Sequence, residues 1–494
     1  MPNHFTGWFL DGSDISVNSY NHNTTLANQS LLQHVANLEQ VYSGMSPAQL
    51  ATQIAELEPC PEQGVELSTV IQEVEQHILQ NSIKVSAPLC IAHLHCPPLI
   101  PSVIAETFIS ATNQSLDSWD QSPAATLLEQ HIINWLGNIF GYDNQADGVF
   151  TSGGTLSNLM GLLLARNHAT KKHFNIDVWQ QGIPAEAHQF RVLCSEEAHF
   201  SVQQSLALIG MGTNAVIPVT TDEHKRIAIS ALDAALEHCK QNHLIPIAIV
   251  GTAGSTNFGS IDPLQELAKR TQQHDLWLHV DAAYGGAFIL SDKYCHLLQG
   301  IELADSITVD FHKQFYQSIS CGAFLIKDSS YFNLIRLHAE YLNPETDQIN
   351  DIPNLVTKSL QTTKRFDALK LFMSLRNLGR KVFAGMIEST VLLAQQIAAE
   401  IEQDTQLQLA IKPTLNTLLF RYIGDNLLTD SELDIVNEKI CQKILMDGIA
   451  NIGKTRLYSC SYLKFTLLNP NTKIDDLRKI LNILKHYAFE EITF

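Results

Sequence analysis

The segment "LIPIAIVGTAGSTNFGSIDPLQELAKR", residues 244–270, and the segment "DLWLHVDAAYGG", residues 275–286, set the fold class. Each contains a short apolar run that reaches a polar or glycine-rich turn, which is typical of a buried strand. A helical stretch separates the two runs. Strands that alternate with helices in this way form largely parallel sheets covered by helices.

The same alternation extends from about residue 125 to about residue 330. It recurs in "FRVLCSEEAHFSVQQSLALIG", residues 190–210, and in "DSITVDFHKQF", residues 305–315. In open α/β sheets, ligands bind outside the carboxyl ends of the strands. Because the polar turns of this chain fall at those ends, we predict a ligand site along that edge of the sheet.

The remaining sequence predicts two further parts. Residues 1–85 form a helical N-terminal segment and residues 391–494 a small α+β domain, so residues 86–390 are the large ligand-binding domain. Residues 342–356, "LNPETDQINDIPNLV", are polar and proline-containing and predict a mobile loop. The helix predicted in "TTKRFDALKLFMSLRNLG", residues 362–379, ends at Gly379.

Charge and cysteine usage exclude several classes of protein. The 51 acidic residues against 32 basic ones give a net charge of −19, which argues against a nucleic-acid binder. The acidity either attracts a cationic metabolite or serves solubility. The nine cysteines contain no CxxC pair, so we expect a reducing cytoplasm rather than a disulfide framework or a zinc cage. Neither an export signal nor a membrane span is predicted.

A glycine-containing turn predicts an anion site. In "GVFTSGGTLSNLMGLLLARN", residues 148–167, a strand leads through Ser152, Gly153, Gly154 and Thr155 into a helix. Glycines allow backbone N–H groups to approach an anion, and the N-terminus of a helix favours a phosphate. The alternative is an ordinary capped helix without a ligand.

Three chemically active side chains follow other strands. Asp281 ends "WLHVD", and a buried carboxylate there needs a partner unless it caps the next turn. His199 lies at the strand end in "SEEAHFSV", residues 195–202, where a structural histidine is the alternative. Lys313 follows His312 in the aromatic setting "DFHKQFYQS", residues 310–318, unless it is an exposed loop lysine.

These features together match the needs of pyridoxal 5′-phosphate. That cofactor requires a phosphate cradle, an anion beside its ring nitrogen, a flat surface against its ring and a lysine for its aldehyde. All four occur here in compatible order. The sequence therefore predicts a pyridoxal phosphate site, with no metal.

The ordered motifs TSGGT, SEEAH, HVDAAYGG and DFHK, with "HLHCPPLIPS" at residues 93–102 and "WDQSPAATLLEQ" at residues 119–130, resemble the group II pyridoxal-dependent amino-acid decarboxylases. The resemblance covers about residues 85–385. Within that family, "ADSITVDFHKQFYQSISCGAF", residues 304–324, is most similar to bacterial enzymes acting on diamino acids, notably L-2,4-diaminobutyrate decarboxylases.

The resemblance implies the aspartate aminotransferase-like fold, known as fold type I of the pyridoxal phosphate-dependent transferases. This is an α/β fold with a mostly parallel central sheet, helices on both faces and a small C-terminal α+β domain. It also implies a homodimer with shared active sites, in which residues 1–85 pack on the partner.

The resemblance further implies roles for individual residues. Lys313 would carry the cofactor covalently, and His312 would hydrogen-bond its phosphate beside Gly153, Gly154 and Thr155. Asp281 would keep the ring nitrogen protonated. The other residues expected around the ring are His199 and Ala283 on its two faces and Thr252, in "VGTAGST", near the ring or substrate.

The distal amine of a diamino acid needs hydrogen-bond acceptors. The segment "NQSLDSWDQSPAATLLEQ", residues 113–130, offers Ser115, Asp117, Asp120 and Gln121, in a stretch that reaches the neighbouring subunit's pocket in relatives. Ordinary surface acids and helix caps are the alternative. His95 aligns with a segment of the substrate pocket in the family.

The predicted reaction converts L-2,4-diaminobutyrate to 1,3-diaminopropane and CO₂. Lysine, ornithine and glutamate are alternative substrates, and a transaminase, a carbon–sulfur lyase or a catalytically silent scaffold are alternative functions. The chain departs from relatives that carry a loop tyrosine as the final proton donor, because no tyrosine occurs between Tyr341 and Lys358. His199, a water molecule or Tyr341 remain alternatives for that proton.

Overall fold

The structure is a computed structural model that describes residues 7–36, 38–337, 343, 352–424 and 428–493. It contains two compact units. The terminal unit comprises Met1–Pro97, Ala399–Ala410 and Leu419–Phe494, and the sheet unit comprises Pro98–Ala398 and Ile411–Leu418. The division at residues 85 and 390 that the sequence suggests stays a prediction.

The helices of the described residues occur throughout the chain. In chain order they are α1 (Asp14–Ala36), α2 (Pro47–Ala55), α3 (Leu67–Glu73), α4 (Ile100–Thr112), α5 (Pro123–Ile139), α6 (Gly154–Phe174), α7 (Val178–Gln181), α8 (Ser201–Leu208), α9 (Ile229–Gln241), α10 (Leu264–His274), α11 (Ala368–Gln403), α12 (Asp430–Met446) and α13 (Ile474–Thr493).

The strands form two sheets. The seven-stranded sheet of the sheet unit contains β1 (Asp147–Thr151), β2 (Phe190–Ser195), β3 (Val216–Val219), β4 (Ile245–Thr252), β5 (Trp277–Asp281), β6 (Ser306–Asp310) and β7 (Gly322–Ile326), in the spatial order β1-β7-β6-β5-β4-β2-β3. The four-stranded sheet contains β8 (Leu407–Leu409), β9 (Thr417–Tyr422), β10 (Gly453–Leu457) and β11 (Cys460–Thr466), in the order β10-β11-β9-β8.

The large sheet has the predicted parallel character. Strands β3, β2, β4, β5 and β6 pair in parallel, whereas β7 runs antiparallel to both of its neighbours, β6 and β1. The carboxyl ends of β1, β2, β4, β5 and β6 therefore lie at one edge of the sheet. This edge is where the sequence predicted ligand-binding side chains, and the predicted α/β fold is confirmed.

Helix α6 is the central helix of the sheet unit. Its middle, "LMGLLLA" at residues 159–165, is apolar on nearly every face, so burying it removes much nonpolar surface from water. Leu162 and Leu164 are fully buried, and they belong to one hydrophobic cluster with Val192 of β2, Val250 of β4 and Phe324 of β7. This packing holds the N-terminus of α6 at the ligand-binding edge.

Helix α11 is interrupted where the sequence predicts a helix end. Gly379 has φ 71° and ψ 162°, which breaks the helical path inside Ala368–Gln403. Within the described residues, α11 is the helix long and apolar enough to cross a membrane, yet 44% of its most apolar window is buried in the protein. A buried core helix can have the same length and composition, so these two properties alone do not identify a membrane span.

The terminal unit is built by local capping signals and a small sheet. Ser46 and Gln49 form a reciprocal capping box at the start of α2, and Thr429 and Glu432 do the same for α12. Strands β10 and β11 form an antiparallel hairpin, as do β8 and β9. Strands β9 and β11 are the longest of this sheet, at six and seven residues.

Candidate active site

The ends of neighbouring strands bring the predicted side chains together. Thr252, the last residue of β4, pairs in register with Asp281, the last residue of β5. Asp281 in turn pairs with Thr308 of β6, and Asp310 at the end of β6 pairs with Gly322 of β7. Residues far apart in sequence therefore line one edge of the sheet.

The two glycines of the turn before α6 leave a space that no side chain of their own fills. Gly153 has φ 147°, and a β-carbon there would lie 3.1 Å from Cε1 of His312. A β-carbon on Gly154 would lie 3.1 Å from Oδ2 of Asp310 and 3.2 Å from Cβ of Ala283. The backbone thus approaches these side chains because glycine leaves room.

Anion binding is the chemistry that this turn favours. No side chain caps the N-terminus of α6, so its first backbone N–H groups have no cap within this turn. The helix is 21 residues long, and its dipole adds positive potential at this end. Ser152 and Thr155 are exposed beside the two glycines and can add hydroxyl donors.

Asp281 is a buried carboxylate with two hydrogen bonds. Its side chain lies at the end of β5, where the residue is 7% exposed. Oδ2 accepts a bond of 2.8 Å from Nδ2 of Asn158, and Oδ1 accepts one of 3.1 Å from the backbone N–H of Ala283. These bonds orient the carboxylate, as the prediction for Asp281 requires.

Lys313 forms an ion pair that the sequence analysis missed. Its Nζ lies 3.0 Å from Oδ2 of Asp310, and Nε2 of His312 lies 3.6 Å from the same oxygen. The side chain of Asp310 is 3% exposed and that of Lys313 is 20% exposed. An acid that ends an apolar strand two residues before a histidine–lysine pair is the signal that could have identified Asp310.

His199 lies within the same electrostatic environment. Burial lowers the pKa of its imidazole, while the nearby charges of Asp281 and Asp310 oppose that shift and the charge of Lys313 adds to it. Nδ1 of His199 lies 2.8 Å from Oγ of Ser201. The structure therefore groups His199, Asp281 and Lys313, as predicted, although their separate roles stay predictions.

His312 and Thr252 complete the group. Burial lowers the pKa of His312, although the charge of Asp310 opposes the shift, and its Nδ1 lies 2.8 Å from the backbone oxygen of Cys321. The hydroxyl of Thr252 is buried and has no hydrogen-bond partner among the described residues. Such an oxygen favours a ligand with a matching polar group.

Asp262 is a second acid that the sequence analysis missed. It accepts backbone hydrogen bonds of 2.7 Å from Ile227 and 2.8 Å from Thr252, which tie the end of β4 in place. Burial raises the pKa of its carboxyl to about 6. It stands beside a proline in an ordinary helix-start pattern, so the sequence carried no signal for this role.

Of the predicted substrate residues, Asp117, Asp120 and Gln121 lie in the sheet unit, on the segment between α4 and α5. Asp117 has a buried oxygen, Oδ1, that lacks a partner within the described part of the chain. Oγ of Ser118 donates to Asp120 and accepts from Gln121, at 2.6 and 2.9 Å, which is a local turn arrangement. His95 is exposed and lies in the terminal unit, and Tyr341 lies outside the described residues.

The residues present fit pyridoxal phosphate. The glycine cradle offers space and backbone donors for the phosphate, because β-carbons at Gly153 and Gly154 would crowd His312 and Asp310. The oriented carboxylate of Asp281 suits a protonated ring nitrogen, and the side chain of Lys313 is 20% exposed. The unsatisfied hydroxyl of Thr252 supplies a further polar contact.

Comparisons with known proteins find similar chains over most of this sequence. The family described as "Pyridoxal-dependent decarboxylase conserved domain" matches residues 47–423. The L-2,4-diaminobutyrate decarboxylase of Acinetobacter baumannii is 42% identical over 450 residues, which are 90% of this chain and 88% of that protein. The enzyme of the same name from Rhizobium meliloti (strain 1021) is 39% identical and covers 93% of this chain and 90% of its own length.

A solved structure extends the similarity to three dimensions. It is the crystal structure of the glutamate decarboxylase domain of diaminobutyrate-pyruvate transaminase and L-2,4-diaminobutyrate decarboxylase from Vibrio parahaemolyticus. The TM-score is 0.90 at 38% identity, and the match covers 98% of this chain and 99% of that chain. The similarity thus includes both compact units.

Proposed function

The chain belongs to the pyridoxal-dependent decarboxylase family and is a pyridoxal phosphate-dependent amino-acid decarboxylase, and we propose that its substrate is L-2,4-diaminobutyrate. The products would be 1,3-diaminopropane and CO₂. The observation that carries this proposal is the 42% identity, over 90% of the chain, to a relative named for that substrate.

The cofactor supplies an electron sink for the bond between Cα and the carboxylate of the amino acid. The N-terminus of α6 and His312 would bind its phosphate. Asp281 would hold a proton on the ring nitrogen, because a carboxylate at hydrogen-bond distance stabilises the cationic form. Lys313 would hold the cofactor through its aldehyde carbon.

Recognition of the distal ammonium group is the feature that separates a diamino acid from a neutral one. Asp117 supports this part of the proposal, because its Oδ1 is buried and without a hydrogen-bond partner among the described residues. A cationic ligand atom would satisfy that oxygen. Asp120, by contrast, already accepts a bond of 2.6 Å from Ser118.

We also propose that the chain acts as a cytoplasmic homodimer. Three apolar side chains on α4, Ile100, Ile104 and Phe108, are 78%, 47% and 52% exposed. Their spacing of four residues places them on one face of the helix. An exposed apolar row of this kind favours burial against a second protein surface.

The test is CO₂ release by the purified holoenzyme with L-2,4-diaminobutyrate, ornithine, lysine and glutamate in parallel, with the amine product identified by mass spectrometry. We expect the highest kcat/KM with L-2,4-diaminobutyrate. A higher value with another amino acid would replace the proposed substrate but keep the reaction. Transfer of the amino group without CO₂ would contradict the reaction itself.

Two matched variants test the distal contact. Asp117→Asn should raise KM for L-2,4-diaminobutyrate about tenfold or more with a smaller change in kcat, because a charge-assisted hydrogen bond is lost. Asp120→Asn should leave KM within about twofold, because that carboxylate has a local partner. Equal effects of the two substitutions would remove Asp117 from the proposal.

A further inference from the structure

Asn158 is a buried amide that contacts Asp281 and three other buried polar side chains. It lies on α6 and is 1% exposed. Its Nδ2 is 2.8 Å from Oδ2 of Asp281 and 2.9 Å from Oγ of Ser201. Its Oδ1 is 2.7 Å from Oγ1 of Thr308 and 3.0 Å from Nε2 of His279. Every polar atom of this amide therefore has partners.

The orientation of this amide follows from Asp281, the partner that can only accept hydrogen bonds. A carboxylate offers only acceptor atoms, so the NH₂ group of Asn158 must face Asp281. The carbonyl oxygen then faces Thr308 and His279, which must both donate to it. The reverse orientation would oppose two buried acceptors, which costs the desolvation free energy of both.

The hydrogen bonds that run from the carbonyl oxygen of Asn158 through His279 have one consistent direction. His279 must carry its proton on Nε2 to donate to Asn158, so its Nδ1 accepts from the hydroxyl of Ser306 at 2.8 Å. Nε1 of Trp277 donates to that same hydroxyl oxygen at 2.9 Å. Burial lowers the pKa of His279 to about 4, which agrees with a neutral ring.

The hydrogen bonds that run from the NH₂ group of Asn158 through Ser201 determine the tautomer of His199. The second N–H of the amide donates to Oγ of Ser201, whose own proton is then directed to Nδ1 of His199 at 2.8 Å. The backbone N–H of Ser201 also points to Nδ1, at 3.3 Å. Because two donors converge on Nδ1, the proton of the neutral ring belongs on Nε2.

We infer that Asn158 is a positioning residue that holds the carboxylate of Asp281 and, through Ser201, keeps the proton of His199 on Nε2. One amide thus couples the residue that faces the cofactor ring nitrogen to the residue expected on the ring face. His199 thereby presents an N–H hydrogen-bond donor at Nε2. This inference rests on the roles proposed for Asp281 and His199, and it holds for any amino-acid substrate.

The direct test is the tautomer of His199 in the full-length holoenzyme labelled with ¹⁵N-histidine. Its side-chain resonances are assigned by their loss in His199→Gln. We expect one neutral form at pH 7.5 with the proton on Nε2. A proton on Nδ1, or an equal mixture of the two tautomers, would overturn the inference.

Two variants separate the contact of Asn158 with Asp281 from its contact with His199 through Ser201. Asn158→Asp keeps the shape but loses both donors, so the apparent dissociation constant of pyridoxal phosphate should rise about tenfold to a hundredfold and the Nδ1 resonance of His199 should shift. Ser201→Ala removes one donor to His199 and should shift that resonance while leaving cofactor affinity within about twofold. Unchanged affinity and resonance in Asn158→Asp would contradict the inference.

Asn167 provides a matched control on the same helix. This buried amide also has satisfied hydrogen bonds, to Arg166 at 2.7 Å and to the backbone of Leu334 at 2.9 Å. Asn158→Ala and Asn167→Ala should both lower the melting temperature, but Asn167→Ala should leave the cofactor affinity and the His199 resonance unchanged. A role in stability alone would give the same result for both residues.

An incorrect role for Asp281 would give a different experimental result from an incorrect role for Asn158. Asp281→Asn should weaken cofactor binding and change the visible spectrum if Asp281 faces the ring nitrogen. Wild-type affinity and spectrum in this variant, together with an Nε2 proton on His199, would reject the role of Asp281 and leave the His199 branch of the network intact.

Discussion

A buried carboxylate is stable only when a cation or several N–H groups accompany it. Asp310 has Lys313 at 3.0 Å and His312 at 3.6 Å from Oδ2, while its Oδ1 has no hydrogen-bond partner among the described residues. The acid also lies against Gly153 and Gly154, where the phosphate is expected. At the residue scale, Asp310 therefore places negative charge beside the nitrogen that would carry the cofactor.

Asp310→Asn keeps the size of this side chain and removes its charge. A carboxylate favours the protonated form of a nearby nitrogen, so the pH midpoint of the visible absorbance of the bound cofactor should fall by about one unit. Spectra of the holoenzyme between pH 5 and 10 measure this midpoint. Asp147→Asn, which removes the charge from the ion pair with Lys358 (2.6 Å), should leave it unchanged.

His279 should make the stability of the chain depend on pH. Burial lowers its pKa from 6.5 to about 4, so the unfolded chain binds more protons than the folded chain between these values. The contribution of the neutral ring to the free energy of unfolding is therefore complete above pH 6.5 and is lost as the pH falls towards 4. One such group changes that free energy by up to about 1.4 kcal/mol per pH unit.

His279→Gln lacks this titration. The difference in free energy of unfolding between the wild-type chain and the variant should shrink by roughly 1–2 kcal/mol from pH 7 to pH 5. Urea unfolding of the cofactor-free proteins at each pH measures it, and other histidines cancel because both chains contain them. A difference that is constant with pH would show that His279 does not titrate as burial requires.

At the element scale, α6 combines two functions that place different demands on its sequence. Its N-terminus needs glycines for an anion, whereas its middle needs apolar side chains for the core. Gly161 lies where the helix crosses His279, and a β-carbon there would lie 2.5 Å from Nδ1 of that ring. The close approach of helix to strand thus keeps the His279–Asn158 contact in place.

Gly161→Ala should disturb the site through this packing. The added methyl group must displace a buried ring, so we expect a loss of about 1–3 kcal/mol of stability and weaker cofactor binding. Gly385→Ala on α11 is the control, because a β-carbon there meets no atom within 4 Å. It should raise stability by up to about 1 kcal/mol, and a similar effect of the two changes in thermal unfolding would refute the packing argument.

At the scale of the whole molecule, the proposed dimer follows from surface that one chain leaves exposed. Ile104→Arg adds a charge to the apolar row of α4 and should convert the protein to monomers in light-scattering measurements, with loss of activity. Ile435, an apolar residue of α12 that is 57% exposed, offers a control. Ile435→Arg should stay dimeric, and a monomeric wild-type chain would reject the proposal.

The features of this protein that depend on neighbours along the chain could be predicted from its sequence. Alternating apolar runs and helices predicted the parallel sheet, because burial on both faces requires apolar strands. Lys313, Asp281 and the turn at residues 152–155 were identifiable because each follows a strand and carries a distinctive side chain or glycine. Gly379 was recognised as a helix break for the same local reason.

Only the tertiary structure determined which side chains act together. Asn158 and Asp281 are separated by 123 residues, yet they share a hydrogen bond of 2.8 Å. Asp310 became part of the site through its burial, and Asp262 through the backbone donors of Ile227 and Thr252. The physical reason is that burial and hydrogen bonding depend on proximity in space, which the packing of α6 against the sheet creates.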